Sequence, residues 1–367
     1  DINGDGYLDL YVANYHIKTI KDSMEDLDVS VSYKDGKILV SKPDLFSPMI
    51  LRNGSVSLFE LGQADCLYLN RGKGKFEKTL WNSGRFKDEN GINLGKAPKG
   101  WGLSAMFRDM NQDGFPDLYV CNDFFYSPDF IWINNTDGTF RASSPLSIRQ
   151  TSMSSMAVDF ADIDRDGFDD IFIADMMSRS HERRHRQRGS LIHTKMKLPI
   201  ETPSYRPEYP RNTMFLNRGD GTYSEIAQFS GIEASEWTWA IAFIDVDLDG
   251  YEDLLLTNGT LRNANDADLT QLKNPNSISR SNTRFGKLET PNIAYKNQGD
   301  RTFIETSQSW GFNFNGVSHG MALGDLDNDG DQDVVVNHMH QPLGLYRNNS
   351  SAPRISVKLR GTAFAPV

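Results

Sequence analysis

The stretch 109-DMNQDGFPDLYVCN-122 runs from acidic residues straight into apolar ones. Asp109, Asn111, Asp113 and Asp117 stand at positions 1, 3, 5 and 9 of a nine-residue loop, with Gly114 at position 6. Oxygen-bearing residues at alternate positions are what a calcium ion, with about six to eight oxygen ligands, takes from a compact loop. The glycine permits the sharp turn that brings position 9 round. Position 7, here Phe115, offers a backbone carbonyl. All these donors are hard oxygens, with no His or Cys, so calcium fits better than zinc or copper. Magnesium, which keeps its waters, fits less well.

The same loop recurs as 1-DINGDGYLDLYVAN, 162-DIDRDGFDDIFIAD, 245-DVDLDGYEDLLLTN and 325-DLDNDGDQDVVVNH, five copies in all. The further candidate ligands are Asp1, Asn3, Asp5, Tyr7 and Asp9, then Asp162, Asp164, Asp166, Phe168 and Asp170. The fourth loop adds Asp245, Asp247, Asp249, Tyr251 and Asp253, and the fifth Asp325, Asp327, Asp329, Asp331 and Asp333. One ion per loop gives about five calcium ions. Eighteen aspartates fill positions 1, 3, 5 and 9, and the formal net charge is −10. Carboxylates this crowded repel one another unless cations intervene. The alternative is a set of polar hairpin turns without metal.

An EF-hand shares the first half of this loop but needs a Glu at position 12 and flanking helices. Position 12 here is Val12, Val120, Ile173, Leu256 and Val336, residues that suit a strand. Upstream, the second residue before each loop is Phe107, Phe160, Phe243 or Leu323. The fifth is Ser104, Ala157, Ala240 or Gly320, always small, as if facing a crowded centre. Downstream come 67-LYLNRGKGKF, 131-IWINNTDGTF, 214-MFLNRGDGTY and 293-IAYKNQGDRTF, each reading as strand, turn, strand. One repeat is thus four antiparallel strands, A to D, with the acidic loop between A and B. Repeated four-stranded units predict an all-β chain folded as a β-propeller.

On these residues the chain resembles the FG-GAP or VCBS-type repeat proteins, whose blades carry D-x-D-x-D-G calcium loops as integrin α-chain propellers do. More narrowly, 211-RNTMFLNRGDGTYSEIAQFSGI, 235-SEWTWAIAFIDVDLDGYEDLLLTNG, 319-HGMALGDLDNDGDQDVVVN and 343-LGLYRNN resemble the ASPIC and UnbV domain family related to cartilage acidic protein. The resemblance implies about seven blades, hence further blades upstream of the first loop. It also implies a secreted or surface-displayed protein whose signal peptide precedes Asp1. The propeller is expected over 1–350, with blades near 1–80, 99–145, 151–230, 236–310 and 317–350. Residues 351–367 read either as the last strand or as the start of a truncated ASPIC/UnbV-like domain.

Long insertions at 15–63, 178–211 and 260–290 fall between strands B and C, whereas blade 2 has only a short link at 123–130. In an antiparallel meander the B–C connections emerge opposite the A–B loops. Long loops on a rigid scaffold are where binding concentrates, so this face is expected to take a protein or glycan partner. In the insertion of blade 3 (178–211), called the third insertion after its blade, Arg183, Arg184, Arg186 and Arg188 form a basic run that reads as a solvated face or as a patch for an acidic partner. The acidic balance argues against nucleic acid. No apolar run reaches the roughly 18 residues of a membrane span. Cys66 and Cys121 are too few for a disulfide framework.

The same insertion contains 181-HERRH-185, a match to the H-E-x-x-H pattern of zinc proteases. Two arginines would sit beside the metal, the flanks are polar, and Gly189 and His193 arrive too late for the extended motif. Zinc chemistry is therefore set aside and a binding protein, not an enzyme, is expected. The competing readings are a polysaccharide-active lyase or hydrolase at the channel mouth, with Asp159 and His319 as candidates, and a structural subunit of a surface assembly.

Overall fold

A computed structural model describes residues 1–16, 29–187, 206–268 and 285–353, together with 355 and 357. Its described residues are almost all strand and loop, and five sheets follow one another as the blades of a β-propeller. Blade 1 pairs Leu10–Val12, Cys66–Asn70 and Phe76–Lys78, the B, C and D strands of the repeat. Blade 2 runs Gly102–Arg108, Asp117–Asn122, Phe130–Asn134 and Phe140–Ala142, with Phe86–Lys87 added in parallel outside strand D. Blade 3 is Ala157–Ala161, Asp170–Ala174, Thr213–Asn217 and Tyr223–Glu225, and blade 4 is Thr238–Ile244, Asp253–Asn258, Ile293–Asn297 and Phe303–Glu305. Blade 5 is Ser318–Gly324, Asp333–His338 and Gly344–Tyr346, with no strand D among the described residues. The A strands of blades 2 to 5 lie side by side around the axis.

Strand B reads as an unbroken apolar run because it is buried on both faces, one toward each neighbouring blade. Leu118 and Val120 pack toward blade 1 with Leu67 and Leu69. Tyr119 and Cys121, pointing the other way, meet Val158, Phe160, Ile171 and Ile173 of blade 3. The pattern repeats between blades 3 and 4, where Phe172, Ala174 and Met214 meet Leu254, Leu256 and Ile293. Between blades 4 and 5, Leu255 and Ala294 meet Val334 and Val336. The core is thus a series of slabs between blades, each built by the two-residue period of the strands.

At Gly320 the small residue of strand A has a different cause from the crowding expected of it. A side chain at Gly320 would meet open space. Gly320 falls in a register break between Ser318 and Met321, and Ala240 follows a similar break after Thr238. A bulge re-aims the strand at that point.

The insertions carry their own structure. Residues 15–63 contain the hairpins Val31–Lys34 with Lys37–Val40 and Phe46–Ile50 with Val56–Glu60. Met49 of the second hairpin packs on Phe125 of the blade 2 link and on Met153. The third insertion opens with helix α1 (His181–Arg186) and closes with Glu208–Tyr209, which pairs in parallel with Thr151–Ser152. Gln187 and Asp266 bridge the third insertion to the fourth blade's insertion. Among the described residues no helix is long and apolar enough to cross a membrane. Most of 354–367, on which the two readings of the tail depend, lies outside the described residues.

Candidate metal centres and the insertion face

Each acidic loop is held by its own carboxylates. In the third, Asp162 accepts from the backbone N–H groups of Asp166 (2.9 Å) and Gly167 (2.8 Å), and Asp166 accepts from Phe168 N–H (2.9 Å). Asp170, at position 9, takes the N–H of Ile163 at 3.1 Å on one oxygen and that of Asn217 at 2.7 Å on the other. The loops beginning at Asp1, Asp109, Asp245 and Asp325 repeat this scheme. The wrap converges the carboxylates. Asp162, Asp164 and Asp170 bring ligand oxygens within 4.8 Å of one another, as do Asp245, Asp247 and Asp253, and Asp325, Asp327 and Asp333. In the first two loops position 3 is Asn, and Asn3 and Asn111 donate to Asp5 and Asp113 at 3.1 Å.

Two features test whether a cation fits. Asp164 Oδ1 and Asp247 Oδ1 are buried and have no hydrogen-bond partner among the described residues. Burial also pushes the position 9 carboxyls of Asp117, Asp170 and Asp253 up to about 7. A divalent ion would fill the empty lone pairs and supply the missing counter-charge. Where position 3 is Asp, a basic side chain already approaches it. Arg301 Nε lies 2.7 Å from Asp164, Arg347 Nε 2.6 Å from Asp327, and Lys296 Nζ touches Asp247 and sits 2.9 Å from Asp249.

The side chains at position 7, considered above only for their carbonyls, also pack. Tyr7, Phe168 and Tyr251 lie against the C–D turn glycines Gly72, Gly219 and Gly299, all at positive φ. A second recurrent residue carries no charge and was not singled out. It is the asparagine ending strand C: Asn70, Asn134, Asn217, Asn297 and Asn348. Its backbone N–H meets the position 9 Asp, and its Oδ1 accepts an N–H two residues on, as in Asn217 from Gly219 at 3.0 Å. Its Nδ2 reaches the preceding blade. Asn134 donates to Ile2 O, Asn297 to Ile163 O and Asn348 to Val246 O, each at 2.9 Å. In blade 3 Asn217 reaches Met110 O through the Tyr223 hydroxyl. The signal was the Asn before the turn in every repeat.

At the other end, acids and amides close each B–C connection. Asp65, Asp129, Asn212 and Asn292 accept the N–H of Asn14, Asn122, Asp175 and Asn258. The candidate channel residues have structural roles. Asp159 accepts Phe243 N–H of the next blade at 2.8 Å, and His319 stacks on Trp239 with ring centres 4.5 Å apart. Burial lowers the His319 imidazole.

The described arginines of the basic run pair with acids of the scaffold while staying 38–45% exposed. Arg183 Nη2 meets Glu236 at 2.7 Å, Arg184 Nη2 meets Glu233 at 3.6 Å, and Arg186 Nη2 meets Asp266 at 3.0 Å. These arginines fasten α1 to blade 4 and to its insertion. Arg188 lies outside the described residues. Helix α1 is capped by the Ser180 hydroxyl, and His181 and His185 bring their Nε2 atoms within 3.1 Å. Glu182 points at Arg186, and the three-ligand clusters found among the described residues do not include the pair. Cys66 and Cys121 are free thiols.

Fold and loops together define the class: an all-β propeller whose acidic A–B loops gather at one end of the blades. The blades are FG-GAP-like repeats. The model of that description matches residues 109–173 and 206–256, from the loop of blade 2 to strand B of blade 4. FG-GAP-like repeats thus make up the middle of this five-blade propeller. No curated protein matches its sequence. Among solved structures, that of an Agrocybe aegerita lectin, described as recognising non-reducing terminal N-acetylglucosamine, aligns over 83% of this chain and 80% of its own. The identity is 14% and the TM-score 0.28, too low to bear on fold or ligand.

Proposed function

We propose that the chain is a calcium-stabilised propeller of a secreted or surface-displayed protein, which binds a protein or glycan through the face opposite its acidic loops. It acts by binding rather than catalysis. The observation that carries the metal reading is the pair of orphaned, buried oxygens Asp164 Oδ1 and Asp247 Oδ1, each among converging carboxylates. Positions 1, 3, 5 and 9 would hold the ion through side chains, and position 7 through its carbonyl. Lys296, Arg301 and Arg347 lie against these acids and would turn aside on loading. Millimolar calcium outside cells is enough to fill sites of modest affinity. For the partner face, the support is an aromatic cluster at the B–C end, where the exposed rings of Phe124 and Tyr126 lie over Tyr15, the buried Trp101 and Phe59.

Thermal melts test the metal. Calcium should raise the melting temperature over EDTA, by an amount that grows with concentration and exceeds that of magnesium. Each site stabilises by about 2.7 kcal/mol at a hundredfold excess over its Kd. An unchanged melting temperature would sink the calcium reading.

A further inference from the structure

The insertion-bearing end holds a cavity of about 480 Å³ under blade 2. Three connections that turn at that end wall it. They are the B–C link (Tyr126, Asp129), the segment after strand D (Ser143, Pro145) and the close of the third insertion (Arg206, Glu208). Phe130 and Trp132 of strand C complete it. The volume lies within the range of small-molecule sites, about 300–1,000 Å³.

Glu208 is 3% exposed. One of its oxygens accepts Tyr126 N–H at 2.8 Å, and the other has no partner among the described residues. Trp132 is 4% exposed and its indole N–H has none either. Each such orphan destabilises the free protein and is relieved when a ligand pairs it. The other polar walls are satisfied. Asp129 accepts from Asn122 N–H and from the Tyr119 and Ser155 hydroxyls, and Arg206 donates to the carbonyls of Ile148, Ser143 and Ser144. The cavity therefore leaves open one Glu208 oxygen and the Trp132 N–H, besides the exposed Glu89 carboxylate at its rim.

A second, independent observation concerns the link itself. Phe124 and Tyr126 have φ of +66° and +77°, yet are 46% and 39% exposed. Bulky residues in that region are strained. Rings left half in water recover little of it by burial. Strain retained to present aromatic faces marks a place of recognition.

The open valences select the ligand. An ammonium or guanidinium brings donors only and leaves the indole N–H bare. A carboxylate or phosphate brings acceptors only and faces the acids Glu89 and Asp129. A hydroxyl does both, and a sugar ring adds C–H faces that lie flat on aromatic rings. We propose that this cavity binds a pyranose unit of a neutral glycan, with Glu208 and Trp132 sharing its hydroxyls and Tyr126 and Phe130 flanking the ring. The proposal rests on the reading of this end as the binding face and names its ligand class. Burial raises the Glu208 carboxyl to about 8, so near neutrality it carries little charge against such a ligand.

The test is calorimetric titration of the calcium-loaded chain with soluble malto-, cello-, xylo- and chito-oligosaccharides, and with butylammonium chloride. One oligosaccharide should bind, and Trp132→Phe and Tyr126→Gly should each weaken it about tenfold or more. Trp132→Phe leaves an aromatic ring in the core. Tyr126→Gly removes the ring together with its strain, so its melting temperature should hold or rise. Binding of the amine alone, lost in these variants, would overturn the sugar while leaving the face. Sugar binding that survives both variants but fails in Phe124→Gly, outside the cavity on the same face, would overturn the cavity only. Survival in all three overturns the face reading as well, and no binding of any probe overturns the proposal.

Discussion

Asn134 sits in an Asn-Asn-Thr turn that looks ornamental, yet it ties two blades. Its Nδ2 donates to Ile2 O at 2.9 Å and Pro116 O at 3.2 Å, and its Oδ1 accepts Thr136 N–H at 3.0 Å. Asn134→Ala strands these groups in a joint where water is scarce, at about 1–3 kcal/mol for each group left buried. Denaturant melts should show a loss of that order or more, and an Asn134→Ala chain as stable as the parent would refute the bond's importance. Glu208 makes a second prediction at this scale. Its carboxyl titrates near 8 in the fold, because burial disfavours the charge, and near 4.5 when free. Between those values the folded state holds a proton that the unfolded state has released. Stability from this group is therefore present below about 4.5 and is lost as pH rises through about 8. With calcium saturating, the melting temperature should drop between about pH 6 and pH 8.5 more steeply in the parent than in Glu208→Gln, which cannot ionise. Equal slopes would mean that the carboxyl is not held neutral.

At the scale of elements, the acidic loop and the C–D turn of one blade behave as a unit. Phe168 lies on Gly219, where an added methyl would stand 3.0 Å from the ring, and Gly219 has φ +67°. Gly219→Ala therefore meets both strain and contact, about 1–2 kcal/mol for the backbone alone, and should weaken calcium binding at that loop as Phe168 is displaced. Isothermal titration against a parent control would read both effects, and unchanged affinity would uncouple turn from loop. The helix α1 makes a comparable unit with blade 4. Glu236, with a side chain 2% exposed, depends on Arg183 at 2.7 Å. Arg183→Met should cost about 1–3 kcal/mol, short of a fully unpaired carboxylate because the Ser178 hydroxyl at 2.8 Å and Arg179 at 3.9 Å stay on Glu236, and Glu236→Gln in the same chain should restore part of it. The strands were legible in the sequence because the repeat aligns itself five times over. The role of the arginines was not, since Glu236, Glu233 and Asp266 lie about fifty to eighty residues away in the chain. The strand C asparagine was printed in every repeat, but an amide gives no charge or metal signature to mark it.

Over the whole molecule, the loops were legible and the cavity was not, for one reason. The repeat dictates every loop, whereas the cavity is assembled where connections outside the repeat pattern, at residues 89, 126–129, 143–145 and 206–208, close over strand C residues Phe130 and Trp132. The same division governs the charge. Eighteen aspartates at the aligned positions gather at one end, while the described arginines of the third insertion neutralise acids at the other. Without divalent ions the loop end should repel itself, restrained only by bases such as Lys296, Arg301 and Arg347. Five calcium ions would add +10 against the formal −10. Screening by simple salt substitutes for part of that neutralisation, because the loops are exposed and about 10 Å of Debye length at 0.1 M shrinks as salt rises. In EDTA, raising NaCl from about 0.05 to about 0.5 M should increase the melting temperature. With calcium saturating, the repulsion is already answered and the same salt step should do little, or lower the melting temperature by screening the ions from their ligands. Equal salt responses with and without calcium would show that the aspartates are not the charge that the ions neutralise.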